Sequence, residues 1–390
     1  MMKIAVLTAT RAEYGLLSPI IKHMSGDKDL DLRVVVTGTH LSAEFGYTYK
    51  EIEADNVQID EKIEILENGD DAVSISKTMA NALSRFAEYF ERRRPDALMV
   101  LGDRYETLSV CIAAANAQIP IIHLYGGETT QGAIDEAIRH SISKMSYLHF
   151  TSTDEYRHRV IQLGENPARV FTVGAIGVEN ALKMQLLSKG ELGTSLGFEL
   201  DRPYIVATYH PVTLEKVGLD NQIENFLAAV EEKSEYIYII TKANADAGGR
   251  RINGLLEHFA ENRENIHVVD SLGVKRYLSA LKYADMVIGN SSSGLTEVPS
   301  FHIPTINIGD RQKGRTHAET VIDCECDKDS IIAAMTEAET EDFRKSCMKA
   351  ENPFERADVA KNIVDIIKRE MMDRSIDLKK KFYDIQFEEA

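Results

Sequence analysis

Residues 285–297 read DMVIGNSSSGLTE. A short apolar run (Met286, Val287, Ile288) ends at Gly289, and Asn290, Ser291, Ser292 and Ser293 then supply small amide and hydroxyl groups where a helix is expected to begin. A helix start has unpaired N–H groups and the positive end of the peptide dipoles, so this pattern suits a phosphate. Gly294 leaves the backbone open to a ligand, and Glu297, roughly one turn further on, can accept from two sugar hydroxyls. The plainer alternative is an ordinary serine N-cap with a solvated glutamate.

In open α/β sheets ligands bind beyond the carboxyl ends of the strands, so the residues following each strand-like run are the candidates. Thr8–Gly15 (TATRAEYG) puts Arg11 at a helix start, where its planar fork suits a phosphate, although a pair with Glu13 would explain it equally. Gly102-Asp103-Arg104-Tyr105-Glu106 offers Asp103 as an acid or base, or as a helix N-cap. Tyr125-Gly126-Gly127-Glu128 follows the next run, and Asp135, Glu136, Arg139 and His140 come after it. Asp135 and Arg139, four apart, also fit a plain helical ion pair. Carboxylates gathered from Asp103, Glu128 and Asp135 would repel one another, driving their pKa values apart as acid/base work near neutrality requires. Further along, His210 can serve a phosphate or a proton, while Asn244 and Arg311 sit in loops after later strands. No GxGxxG, Walker lysine or nucleophile–His–Asp order occurs, so NAD, a P-loop and a hydrolase triad are not indicated.

Strand-like runs and amphipathic stripes position these loops. Residues 3–8, 33–37, 97–101, 119–124 and 148–151 form one set of apolar runs, and 204–208, 236–240, 266–269, 285–288 and 304–308 a second. Near-continuous apolar character predicts parallel sheets covered on both faces. Leu16, Leu17, Ile20, Ile21 and Met24 form one helical stripe; Ile75, Met79, Leu83, Phe86 and Phe90 form another, ended by Pro95. Two βαβ arrays predict an α/β protein with two Rossmann-like domains, 1–174 and 175–365, with a hinge at Gly174–Gly177 directly after the strand-like VFTV of 170–173. The last helix, roughly 356–371, is expected to cross back, so that about 366–390 packs on the first domain with a charged, partly mobile tail.

The chain has 390 residues, 44% hydrophobic and 27% charged, with a formal net charge of −17 that disfavours nucleic-acid and anionic-membrane partners. No run reaches the ~18 apolar residues of a membrane helix. Its four cysteines suit a reducing cytoplasm, and Cys324 and Cys326 lack the further ligands a tetrahedral metal site needs.

Taken together, these loops resemble the UDP-hydrolysing UDP-N-acetylglucosamine 2-epimerases of sialic-acid and related nonulosonate biosynthesis. The matching segments are TATRAEYGLL (8–17), VVTGTHLS (35–42), GDRYE (102–106), GGETTQGAIDEAIRHSISKMS (126–146), HPVT (210–213) and GNSSSGLTEVPSFHIPTINIGDRQKGR (289–315), in the family's order. The resemblance implies a GT-B architecture with the active site in the interdomain cleft, a dimer or tetramer, and neither metal nor cofactor. It implies removal of the proton at carbon 2, expulsion of UDP, a 2-acetamidoglucal intermediate, and hydration to N-acetylmannosamine. By motif, Arg11, His210, Ser291, Ser292 and Arg311 would orient the UDP phosphates, Glu297 the ribose, and backbone near Ser271 and Leu272 the base. Asp103 and Asp135 would stand among the catalytic carboxylates, with Glu128 and His210 as further acid/base groups. Arg104, Tyr125, Arg139, His140, Asn244 and Gly294 would line the substrate.

One position departs from the family. Directly before Gly126 several members carry glutamate (EGGE) and others histidine, whereas this chain has Tyr125. A phenol titrating near 10 is a poor base at neutral pH. Either Glu128 takes part of the role, or Tyr125 donates a proton or packs on a modified sugar. The same reaction on UDP-2,4-diacetamido-2,4,6-trideoxyglucose, in the legionaminic-acid branch, is the alternative substrate. A non-hydrolysing 2-epimerase, a GT-B glycosyltransferase and a binding-only nucleotide-sugar sensor are the competing classes.

Overall fold

Side chains alternate along a strand, and this alternation builds both faces of the first sheet. Ile4 and Val6 enter one buried cluster, while Ala5 and Leu7 enter another on the opposite face. A computed structural model describes residues 1–69, 71–130, 134–212, 218–243, 248–372 and 376–386. The chain divides into two compact units, Met1–Glu128 with Asp135–Glu179 and Arg356–Ala390, and Thr129–Ile134 with Asn180–Glu355.

The first unit contains β1 Met2–Thr8, β2 Leu30–Thr37, β3 Ile59–Ile63, β4 Ala97–Leu101, β5 Ile121–Leu124, β6 Leu148–Thr151 and β7 Val170–Thr172. All pair in parallel in the order β3-β2-β1-β4-β5-β6-β7. The direction of winding reverses between β1 and β4, so their carboxyl ends form the topological switch where such sheets bind ligands. Helix Arg11–Ser25 buries Leu17, Ile20, Ile21 and Met24 on one face. Helix Ala72–Arg93 buries Phe86, Tyr89 and Phe90 on the other, and is capped by Asp71, whose side chain accepts from Val73 N and Ser74 N.

Two features of this unit differ from the sequence reading. Helix Val359–Ile367 lies wholly in it, because Val359, Ala360, Ile363, Val364 and Ile367 share a core with Leu17, Ile20, Ile21 and Met24. The return begins at Arg356, where the expected last helix starts, and apart from Thr129–Ile134 the chain leaves this unit after Glu179, close to the boundary expected at 174. The tail from 376 to 386 is docked rather than loose. Tyr383 N donates to Gly164 O at 2.9 Å, and Lys380 Nζ donates to Ser146 O at 2.7 Å and Lys144 O at 2.9 Å. Lys380 also pairs at 2.5 Å with the buried Glu165, which Lys144 and His149 engage as well. These contacts offset the desolvation of Glu165 and hold its carboxyl down at about 2.

The second unit repeats the plan with β8 Tyr204–Thr208, β9 Ile237–Thr241, β10 Ile266–Val269, β11 Met286–Gly289, β12 Thr305–Ile308 and β13 Val321–Cys324. The order is β10-β9-β8-β11-β12-β13, again all parallel. Ile205 and Ala207 face one buried cluster, and Tyr204 and Val206 the other. Two strands escaped the sequence reading: β3, an edge strand of sequence IDEKI, and β13, an edge strand of only four residues. Edge strands bury one flank and tolerate charge, so neither shows a continuous apolar run. Among the described residues no helix is long and apolar enough to cross a membrane.

Deleting residues 376–390 should remove Lys380 from Glu165 and destabilise the first unit by about 1–3 kcal/mol. Calorimetry should show a melting transition several degrees lower; an unchanged transition would mean the tail contributes nothing to that unit.

Candidate active-site groups of the two units

Gly102 follows β4 with φ at 77°, a left-handed turn that glycine takes without strain, and Asp103 comes directly after it. The turn is pinned from β5: Gly102 N donates to Leu124 O at 3.1 Å, and His123 Nε2 donates to Gly102 O at 2.8 Å. His123 is fully buried and its Nδ1 lies 3.2 Å from Ser143 Oγ. Burial pushes its pKa down to about 3, so the ring is neutral and its proton sits on Nε2, facing the carbonyl. Asp103 does not cap the following helix; Arg104 occupies the N-cap of Tyr105–Asn116.

Asp103 instead meets Arg139. This arginine is 1% exposed and projects from helix Asp135–Met145. Its Nη2 donates to Asp103 Oδ2, and its Nη1 donates to Glu136 Oε2 and to the Glu128 carbonyl, both at 3.0 Å. Glu136 Oε1 lies 3.2 Å from His140 Nε2. The Glu128 side chain points elsewhere and accepts from Ser152 Oγ at 2.9 Å. Asp135 begins the helix and is half-buried. Arg139 thus collects Asp103, Glu136 and the Glu128 backbone; Glu136 had not been singled out as a site residue from the sequence.

Nearby, Arg11 pairs at 3.2 Å with Glu51, not with Glu13. Thr10 caps helix Arg11–Ser25 through Glu13 N, while Glu13 Oε2 turns back to accept from Ala9 N at 2.7 Å. Glu13 is 8% exposed and Glu106 1%, and Arg104 Nε stands between them, 2.6 Å from Glu106 and 3.9 Å from Glu13. Among the described residues Glu13 Oε1 and Glu106 Oε2 have no hydrogen-bond partner. Burial lifts the Glu13 pKa to about 7, with Arg104 opposing and Glu106 adding to the rise. The T-x-x-E spacing from Thr10 to Glu13 is a capping-box signature and was the available signal for this inward-facing carboxylate.

Tyr125 also adopts a left-handed backbone, φ 66°, and its hydroxyl accepts from Ile176 N at 2.8 Å. The phenol therefore braces the start of helix Ile176–Lys183. Gly127 must be glycine, since a Cβ there would come within 2.2 Å of Tyr156 O.

In the second unit the organising residue is Asn290, which is fully buried. Its Oδ1 accepts from His210 N at 2.7 Å, and its Nδ2 donates to His210 O at 2.8 Å. Its own carbonyl accepts from Arg311 Nη1 at 3.0 Å and Gln312 Nε2 at 2.8 Å. The loops after β8, β11 and β12 are thereby tied at one amide. Gly289, φ 131°, permits this, because a Cβ there would lie 1.9 Å from Thr208 O.

The serine loop departs from expectation in two ways. Its helix is a single turn, Ser293–Thr296, followed by the 3-10 turn Val298–Phe301. Pro299 has no N–H to continue an α-helix, so little dipole accumulates at the serines. Gly294 is buried against β12 rather than open: a Cβ there would lie 2.8 Å from Thr305 Cγ2, and Thr305 Oγ1 donates to Gly294 O at 2.9 Å. Ser291, Ser292 and Glu297 remain half-buried, and Ser293 Oγ accepts from Tyr277 OH at 2.8 Å. At the other candidate edge, Ser271 Oγ accepts from Gly273 N and the Leu272 carbonyl from Arg276 Nε at 2.8 Å. Asn244 lies outside the described residues.

Two doubly wound parallel sheets in one chain define an α/β protein of the GT-B fold class. The crystal structure of UDP-GlcNAc 2-epimerase from Neisseria meningitidis bound to UDP-GlcNAc shares that fold, with a TM-score of 0.78 at 18% identity over 94% of this chain and 100% of that one. The profile of the UDP-N-acetylglucosamine 2-epimerase family matches residues 22–368, and the chain belongs to this family. It is 44% identical over 345 residues to the GDP/UDP-N,N'-diacetylbacillosamine 2-epimerase (hydrolyzing) of Campylobacter jejuni, covering 88% of this chain and 89% of that protein. It is 41% identical over 386 residues to polysialic acid biosynthesis protein P7 of Escherichia coli, covering 99% and 98%. It is an enzyme of the hydrolysing UDP-sugar 2-epimerase class.

The raised Glu13 pKa makes a stability prediction. An acid whose folded pKa exceeds its unfolded value destabilises the fold once ionised, so stability is full below the ordinary glutamate value of 4.5 and falls as pH rises toward about 7. Glu13→Gln should therefore be more stable than the wild type at about pH 8, by on the order of 2 kcal/mol. Urea unfolding across that window checks it; parallel losses in both proteins would show that Glu13 is ionised throughout.

Proposed function

We propose that the protein converts a UDP-activated 2-acetamido sugar and water to UDP and the free 2-epimer. A carboxylate removes the proton at carbon 2, and the bond from carbon 1 to the UDP oxygen breaks with its electron pair leaving on the diphosphate. The resulting 2-acetamidoglucal takes up water at carbon 1 and a proton on the opposite face of carbon 2. Asp103 and Asp135 are the acid/base groups in this reading, with Glu128 and His210 beside them. Arg11, His210, Ser291, Ser292 and Arg311 hold the diphosphate, where negative charge develops as it leaves. Glu297 holds the ribose.

The observation that carries the reading is the buried Arg139 drawn against Asp103 at the carboxyl end of β4, in a chain of this family. Such a cation supports a carboxylate that must hold charge out of water.

UDP-N-acetylglucosamine, giving N-acetylmannosamine, is the first substrate reading. The N,N'-diacetylated sugar is the second, and the name of the Campylobacter relative favours it. Parallel incubations with the two UDP-sugars decide between them by rate.

Three outcomes are expected. UDP should appear without an acceptor sugar, NAD or added metal, and in heavy water the product should carry deuterium at carbon 2; a strict acceptor requirement would indicate a transferase instead. Asp103→Asn and Asp135→Asn should each lose about 10²–10⁴ in rate while still binding UDP. Near-normal turnover in both would move the proton chemistry to other groups. Ser292→Ala and Glu297→Ala should each weaken UDP binding by roughly 1–3 kcal/mol, and calorimetry showing unchanged affinity in both would remove that loop from the nucleotide site.

A further inference from the structure

One buried guanidinium serves two carboxylates in the first unit. Arg139 Nη2 donates to Asp103 Oδ2, and Nη1 donates to Glu136 Oε2 at 3.0 Å. Glu136 is held from its other side, its Oε1 3.2 Å from His140 Nε2. The three- and four-residue spacings place Arg139 and His140 on the same helical face as Glu136, so this geometry is built into one rigid element.

A lone buried arginine against Asp103 would favour its charged form strongly and leave a weak base. A second anion on the same guanidinium counters that. It competes for the N–H donors, and its like charge makes the ionised Asp103 less favourable. We propose that Glu136 is a positioning residue for Asp103, dividing Arg139 between the two carboxylates and thereby setting how readily Asp103 takes and returns the proton at carbon 2. The inference rests on the acid/base role proposed for Asp103.

The other groups around the pair are already engaged. The Glu128 carboxylate accepts from Ser152, and His123 is neutral and donates to Gly102 O. Arg104 is drawn toward Glu106 and Glu13, and Asp135 adjoins Glu136 at the helix start. Among the described residues Glu136 contacts both Arg139 and His140, so its charge is the one to change.

The test compares the wild type with Glu136→Gln and Glu136→Asp. Carbon-13 NMR of the Asp103 carboxyl follows its titration without substrate, and kcat and KM are measured across pH with the UDP-sugar. In Glu136→Gln the Asp103 titration and the acid limb of kcat should both move down by about one pH unit. The plateau kcat should fall about three- to tenfold, with KM and UDP affinity little changed. Glu136→Asp, which keeps the charge, should restore much of the wild-type profile and serves if the glutamine variant does not fold. An Asp103 titration unmoved by the loss of charge overturns the inference, as does a uniform fall in kcat with the wild-type pH limb. A moved titration in a protein that releases no UDP overturns the proposed function and leaves the coupling between Glu136 and Asp103 standing.

Discussion

A guanidinium cannot lose its proton, so an arginine that is 1% exposed must have its charge answered from within the protein. Among the described residues Asp103, Glu136 and the Glu128 carbonyl answer the charge of Arg139. Those partners come from the loops after β4 and β5 and from Arg139's own helix, so one side chain fixes three segments. Removing any of them would leave a buried charge under-compensated, which is far more damaging than loss of a surface pair. The neutral His123 completes the arrangement by holding Gly102, and with it the turn that presents Asp103.

The second unit solves the same problem with a neutral group. Asn290 offers a donor and two acceptors at one position, and it uses them on His210, Arg311 and Gln312. An amide carries no net charge to desolvate, so full burial is cheap once every bond is made. The loop of serines beside it is thereby set at a fixed height above β11. Its one-turn helix contributes little dipole, so in the proposed function hydroxyls, backbone N–H groups and Arg311 would have to meet the diphosphate.

The carboxylates of the first unit are not equivalent. Asp103 is paired with a buried cation, Glu128 with a serine hydroxyl, and Glu13 is lifted to about 7 by burial beside Glu106. The three environments sit in the loops after β1, β4 and β5, and of the three carboxyls Glu13 is the one that burial pushes toward neutrality. The Tyr125 hydroxyl accepts from Ile176 N and supports the helix that leaves β7.

The α/β class, the two arrays of parallel strands, the core stripes of helices Arg11–Ser25 and Ala72–Arg93, and the loops worth inspecting were all legible in the sequence. Apolar periodicity is local and depends on nothing beyond the segment that carries it. The charged edge strand β3 and the short β13 were not legible, because their partners are distant in the chain and half their surface needs no apolar residue. Charge pairing was equally hidden. Four-residue spacing pointed to Asp135 as a partner for Arg139, but it gave no sign of Asp103, which the fold brings to the same guanidinium from 36 residues away. Arg11 and Glu13 look paired in sequence, yet a capping turn sends Glu13 inward and leaves Arg11 to Glu51. Residue type and spacing thus determined which groups were available. Burial and long-range contact decided which of them met, and hence that Asp103 faces a buried cation while Glu13 is pushed toward neutrality.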